Sequence, residues 1–189
     1  MTARPEYFRF HNGDRAPLPF ADTEYQARLN GLRAAMDQLG VGACVLTSMQ
    51  NIAYCSGFLY CAFGRPYALV VTETEAVTIS AGIDAGQPWR RGFCDNLTYT
   101  DWARDNFWRA VTSVAGTGQV LGYEGDHLTL TQRDRMEDFL DPLTMVDIAP
   151  ATMRQRMRKS PAEIALIRAG AQVADVGGYA IREAVKEGA

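Results

Sequence analysis

Histidine is scarce, and that scarcity removes most of the usual hydrolytic machinery. Only His11 and His127 occur in 189 residues. A nucleophilic triad needs nucleophile, base and orienting group in one place. His11 lies in an irregular N-terminal stretch. His127 stands in GYEGDHLTL beside Glu124 and Asp126, where a loop with a solvated charged face is expected. Cysteine is limited to Cys44, Cys55, Cys61 and Cys94, with no CxxC pair and no histidine at ligand spacing. A zinc site and a disulfide scaffold are therefore not expected, and buried free thiols are. No GxGxxG or Walker loop is present, which leaves nucleotide folds of those types without support. Basic clusters are also missing. With net charge −3 and pI about 5.4, nucleic acid is not an expected partner. No apolar run reaches the ~18 residues of a membrane span, and MTARPEYFRFHNGDR has no apolar signal core, so a cytoplasmic location is expected.

What is present is a globular balance, 47% hydrophobic and 22% charged. Residues 1–20, with Pro5, Pro17 and Pro19, read as irregular. Thr23 and Gln26 stand at capping-box spacing. After them Tyr25, Leu29, Leu32, Met36 and Leu39 recur at steps of four and three, a helix closed by Gly40. Ala43–Thr47 reads as a buried strand and NIAYCSG as a short helix or turn. Tyr67–Thr72 and Ala76–Ala81 are strand runs joined by ETE, a hairpin. GQPWRRG lies in a loop or broken helix. Leu97–Thr100, Gln119–Tyr123 and Met145–Ile148 read as strands, and 104–114 and Leu130–Leu140 as helices. Strands alternating with helices, plus one hairpin, predict an α/β fold with a mixed sheet flanked by helices.

The tail differs. MRQRMRKS reads as a linker. Ser160, Pro161 and Glu163 form a helix start, and Ile164, Ile167, Ala171, Ala174, Gly178, Ile181 and Val185 then mark one face of a helix of nearly thirty residues. Such a face predicts a covering partner, either more chain or another subunit.

The carboxylates Glu73 and Glu75, and Asp134, Glu137 and Asp138, read as exposed and unsuited to acid–base work. Trp89, Arg90 and Arg91 fit a surface turn better than an anion site. FLYCAFGRPYALVVT is more informative. Arg65 carries a planar charged fork that suits a carboxylate, Phe63 offers a flat apolar face, Gly64 permits positive φ, and Pro66 stiffens the exit. The residues fit an anion clamp and equally an arginine salt-bridged at a strand start.

FLYCAFGRPYALVVT, GQPWRRGF, DNLTYTDWARDNFWRA and MRQRMRKSPAEIALIRAGAQVAD together resemble the creatinase branch of the creatinase/prolidase/aminopeptidase P family, over essentially the whole chain. The resemblance implies a ribonuclease-H-like N-terminal domain over residues 1–157. Residues 158–189 would be a linker and the first helix of a truncated pita-bread domain. It also implies a homodimer in which Phe63 and Arg65 bind substrate in the neighbour's pocket, with Arg65 on the carboxylate of creatine or a similar small guanidino acid. The chemistry would need no metal and no cofactor. The catalytic histidine and the guanidinium-binding glutamates would lie outside this chain, which would then be inactive by itself. Two other readings remain: the N-terminal domain of a metal-dependent Xaa-Pro aminopeptidase or prolidase, and a stand-alone interaction domain.

Overall fold

The sheet grows outward from Ala43–Leu46 (β2), four residues with no exposed surface between them. The computed structural model describes residues 4–60, 64–84 and 86–186. The hairpin partners of β2 are Ala68–Thr72 (β3) and Ala76–Ala81 (β4), each antiparallel to the strand before it. Asp95–Tyr99 (β5) continues beside β4 in parallel. On the other side of β2, Val120–Tyr123 (β6) and Thr144–Asp147 (β7) add parallel neighbours. With Tyr7–Arg9 (β1) antiparallel to β5 at one edge, the described residues form seven strands in the order β1-β5-β4-β3-β2-β6-β7. This is the expected mixed sheet.

Alternation along the strands sends side chains to two cores. Ala43, Val45, Val70, Val77, Ile79 and Tyr99 face the helices Asn106–Ala115 (α4) and Leu130–Leu140 (α5), meeting Phe107, Trp108, Val111, Met136 and Leu140. Cys44, Leu46, Leu69 and Val71 face Asp22–Gln38 (α1) and Met49–Ser56 (α2), meeting Leu29, Leu32, Met36 and Ile52. The expected inward residues of α1 are buried except Leu39, which is exposed where the helix ends.

Three expectations need correcting. The N-terminus is not wholly irregular, because Tyr7–Arg9 (β1) pairs antiparallel with β5 through Tyr7↔Tyr99 and Arg9↔Leu97. Three residues are too few to show a period, and their partner lies some ninety positions away. The Thr23/Gln26 capping box does not form: α1 starts at Asp22, so Thr23 is already inside the helix, and Ala21 is its cap without a side-chain bond. The box occurs instead at α5, where Thr129 and Gln132 bond reciprocally. MRQRMRKS is largely helical, since Ala149–Met157 (α6) follows β7 directly. Arg154, Arg158 and Lys159 are exposed and Arg156 is half-buried, while Ala149 and Thr152 are buried.

The chain divides into two compact units, 1–155 and 156–189. In the second, Pro161–Ala184 (α7) has 24 residues, somewhat short of the expectation. Its capping box is the expected one: Ser160 accepts from the Glu163 amide at 3.1 Å, and Glu163 accepts from the Ser160 amide at 2.8 Å. No residue of α7 is buried, and Ile164, Ile167, Val173, Tyr179 and Ile181 are exposed. No described helix is long and apolar enough to cross a membrane.

Candidate functional site

Arg65 lies in the connection between α2 and β3, the middle strand of the sheet. That connection is fixed by aromatics. Gly57 ends α2 at φ +76, and a Cβ there would come within 2.9 Å of the Tyr25 ring. Phe58, Tyr60 and Tyr67 are buried together, with the Tyr60 and Tyr67 rings stacked at 4.2 Å. The Tyr60 hydroxyl donates to the Arg65 carbonyl at 2.9 Å, and the Tyr99 hydroxyl donates to the Pro66 carbonyl at 3.0 Å. Burial pushes the Tyr99 hydroxyl well above its ordinary pKa, so it remains a neutral donor at any physiological pH. Two tyrosines thus hold the backbone from which the arginine projects. Gly64, at φ +71, supplies the expected left-handed conformation just before it.

The side chain itself is held loosely. Arg65 Nη2 donates to Asp84 Oδ1 at 3.3 Å, and the two side chains are 34% and 20% exposed. Arg65 Nε and Asp84 Oδ2 are buried and have no partner among the described residues. Arg65 lines two clefts. One, of about 290 Å³, is shared with Arg4, Tyr99, Thr100 and Asp101. The other, of about 260 Å³, is shared with Tyr60, Asp84, Gln87 and Arg91. Phe63, the other expected binding residue, lies outside the described residues. The arrangement can bind an anion, but among the described residues that line the clefts no nucleophile is paired with a base. Among the described residues no cluster of His, Cys, Asp or Glu could hold a metal ion.

The remaining candidates have structural tasks. Trp89 belongs to a short helix, Gln87–Arg90 (α3), rather than a simple turn. Its ring stacks on His11 at 3.8 Å and carries Arg15 at 4.0 Å, while Arg90 donates to the Asn12 carbonyl at 3.1 Å. These contacts tie the N-terminal segment down. Arg91 reaches the cleft of Arg65. Cys44 and Cys94 are free thiols and buried, as expected, Cys55 is buried too, and Cys61 lies outside the described residues. Glu73 and Glu75 are exposed, as are Asp134, Glu137 and Asp138.

Glu124 overturns its expectation. It is fully buried, not part of a solvated face. Its Oε2 accepts from the amides of Thr47 and Ser48 at 2.5 and 2.7 Å, and its Oε1 from Ser48 Oγ and Asn51 Nδ2 at 2.5 Å each. The carboxylate sits at the start of α2, where unpaired amides and the helix dipole favour negative charge. His127 is separate: its amide closes a turn onto the Glu124 carbonyl. Sequence reasoning also passed over Asp84, whose signal was its position just ahead of GQPWRR.

Fold and site define a class: a seven-stranded α/β domain presenting an arginine at the mouth of its middle strand. The model of the Creatinase/Prolidase N-terminal domain family matches residues 28–158, and the chain belongs to that family. It is 47% identical over 182 residues to the Creatinase of a Bacillus species, covering 94% of this chain and 44% of that protein. An uncharacterised hydrolase/peptidase of Sinorhizobium fredii is 25% identical over 192 residues, covering 92% and 48%. The chain thus spans about half the length of these curated relatives. Among solved structures, the prolidase from Pyrococcus horikoshii superposes with TM-score 0.71 at 18% identity, over 86% of this chain and 44% of that one. The Creatinase/Prolidase N-terminal domain of an X-Pro dipeptidase from Streptococcus pyogenes gives 0.60 at 19%, over 67% and 97%. At such identities the likeness is one of fold.

Proposed function

We propose that this chain is the N-terminal part of a creatinase-like hydrolase that converts creatine and water to sarcosine and urea. In this reading residues 1–157 form the N-terminal domain and 158–189 lead into the catalytic one, whose residues attack the guanidinium carbon. The chain's own contribution is binding. Arg65 grips the substrate carboxylate in the pocket of the second subunit of a homodimer, and Phe63 packs against the ligand. The observation that carries the reading is the 47% identity to the Bacillus Creatinase over nearly the whole chain. The third-exposed side chain of Arg65, held by a single bond, supports its binding role. A metal-dependent Xaa-Pro peptidase is the second reading, supported by the 25% identity to the Sinorhizobium fredii hydrolase/peptidase.

A charge-assisted hydrogen bond of this kind contributes ~1.5–3 kcal/mol, or about one to two decades in KM. In the whole protein, Arg65→Ala is expected to raise KM for creatine by that factor, read as urea release. Proline-dipeptide hydrolysis that depends on added metal, with no urea from creatine, would replace the proposal with the peptidase reading.

A further inference from the structure

Asp84 closes the turn Gly82–Asp84 that follows β4, and the hairpin brings it back to the mouth of β3. A carboxylate facing a guanidinium ordinarily closes a two-bond fork. Here one bond is made, Nη2 to Oδ1. The two atoms that would make the other, Arg65 Nε and Asp84 Oδ2, are both buried and without partners among the described residues. The guanidinium is therefore held by one nitrogen, on a backbone already pinned by Tyr60 and Tyr99. Asp84 lines the smaller cleft but not the larger, whereas Arg65 lines both. The carboxylate thus restrains the arginine from one side and leaves the other side open.

We propose that Asp84 is a positioning residue for Arg65. It tethers the guanidinium through Nη2, keeps the side chain at the mouth of β3, and leaves the part of the side chain that lines the larger cleft to a ligand carboxylate. The inference rests on the reading that Arg65 binds a substrate carboxylate. It differs from a view of Asp84 as a neutralising charge. A tether helps acidic ligands bind, whereas a neutralising charge weakens them.

The test is steady-state kinetics of the whole protein with creatine, using Asp84→Ala, Asp84→Asn, Arg65→Ala and the double variant Arg65→Ala/Asp84→Ala. A single 3.3 Å contact at a part-exposed pair predicts a rise in KM of about two- to fivefold for Asp84→Ala, with kcat changed less than about twofold. Asp84→Asn keeps an acceptor for Nη2 and is expected to restore most of the loss. The double variant is expected to match Arg65→Ala, because a tether has no effect once its load is gone. A fall in KM in either Asp84 variant makes Asp84 a competing charge and overturns the proposal. So does unchanged KM in Asp84→Ala, failure of Asp84→Asn to restore it, or strict additivity in the double variant. Those outcomes leave the grip of Arg65 intact provided that Arg65→Ala raises KM. If Arg65→Ala leaves KM unchanged, both readings fall. Should Asp84→Ala fail to fold, Asp84→Ser, too short to reach Nη2, carries the same comparison.

Discussion

Replacing Glu124 by alanine gives the sharpest check on the fold. The carboxylate is fully buried and accepts four close hydrogen bonds from the β2–α2 junction. One donor has a second acceptor nearby, since Asn51 Nδ2 also reaches Thr152 Oγ1 at 3.2 Å, whereas Ser48 Oγ otherwise only accepts, from the Asn51 amide at 3.2 Å. The amides of Thr47 and Ser48 have no second acceptor among the described contacts. Each buried donor left unsatisfied costs about 1–3 kcal/mol. Water entering the vacated space and the removal of a buried charge offset part of this. A net loss of about 3 kcal/mol follows, which for a domain of this size lowers Tm by roughly 6–12 °C. Glutamine retains one acceptor oxygen and turns an NH2 toward the other pair, so an intermediate loss of about 1–2 kcal/mol is expected. Urea denaturation followed by tryptophan fluorescence reads both, with the slope showing whether the unfolding unit has changed. A midpoint for Glu124→Ala within about 1 kcal/mol of the parent, at equal slope, would refute the argument. So would a glutamine variant less stable than the alanine one.

Two further predictions concern packing and alkaline stability. Gly57→Ala meets both positive φ and the Tyr25 ring at 2.9 Å, so it is expected to cost about 2–4 kcal/mol. Gly118→Ala, at φ +67 with open space around it, should lose only the backbone part, about 1 kcal/mol; equal losses in urea would dismiss the packing contribution. Burial pushes the Cys94 thiol from 9.0 up to about 12. The folded chain therefore keeps a proton that the unfolded chain releases, and the stability this provides is complete below pH 9 and lost as pH rises through 12. Between pH 9 and 10.5 the cost is about 2 kcal/mol, and Cys94→Ala should flatten the slope of stability against pH by that amount. Parallel slopes would contradict the assignment.

The parts legible in the sequence are those whose signals are local. YALVVT and AVTISA are short apolar runs around a polar ETE, and they form β3 and β4 as expected. Ser160 and Glu163 cap α7 because both partners lie within one turn. Arg65 was identifiable as a charge placed among aromatics. What escaped depends on distant partners. β1 exists because β5 offers an edge, α6 because β7 delivers it against the α1 side of the sheet, and Glu124 is buried because Thr47 and Ser48 fold back over it. A carboxylate in EGD looks exposed until the main-chain amides that receive it are placed.

The short strand β1 also governs how this chain can be trimmed. A shortened form starting at residue 28, where the family match begins, would cut through α1, discard Tyr25 and leave Leu97–Tyr99 without the neighbour that Tyr7–Arg9 supplies. An unprotected strand of this kind pairs readily with another molecule. Oligomers formed by such a truncated domain would report a ragged sheet border rather than any association native to the protein.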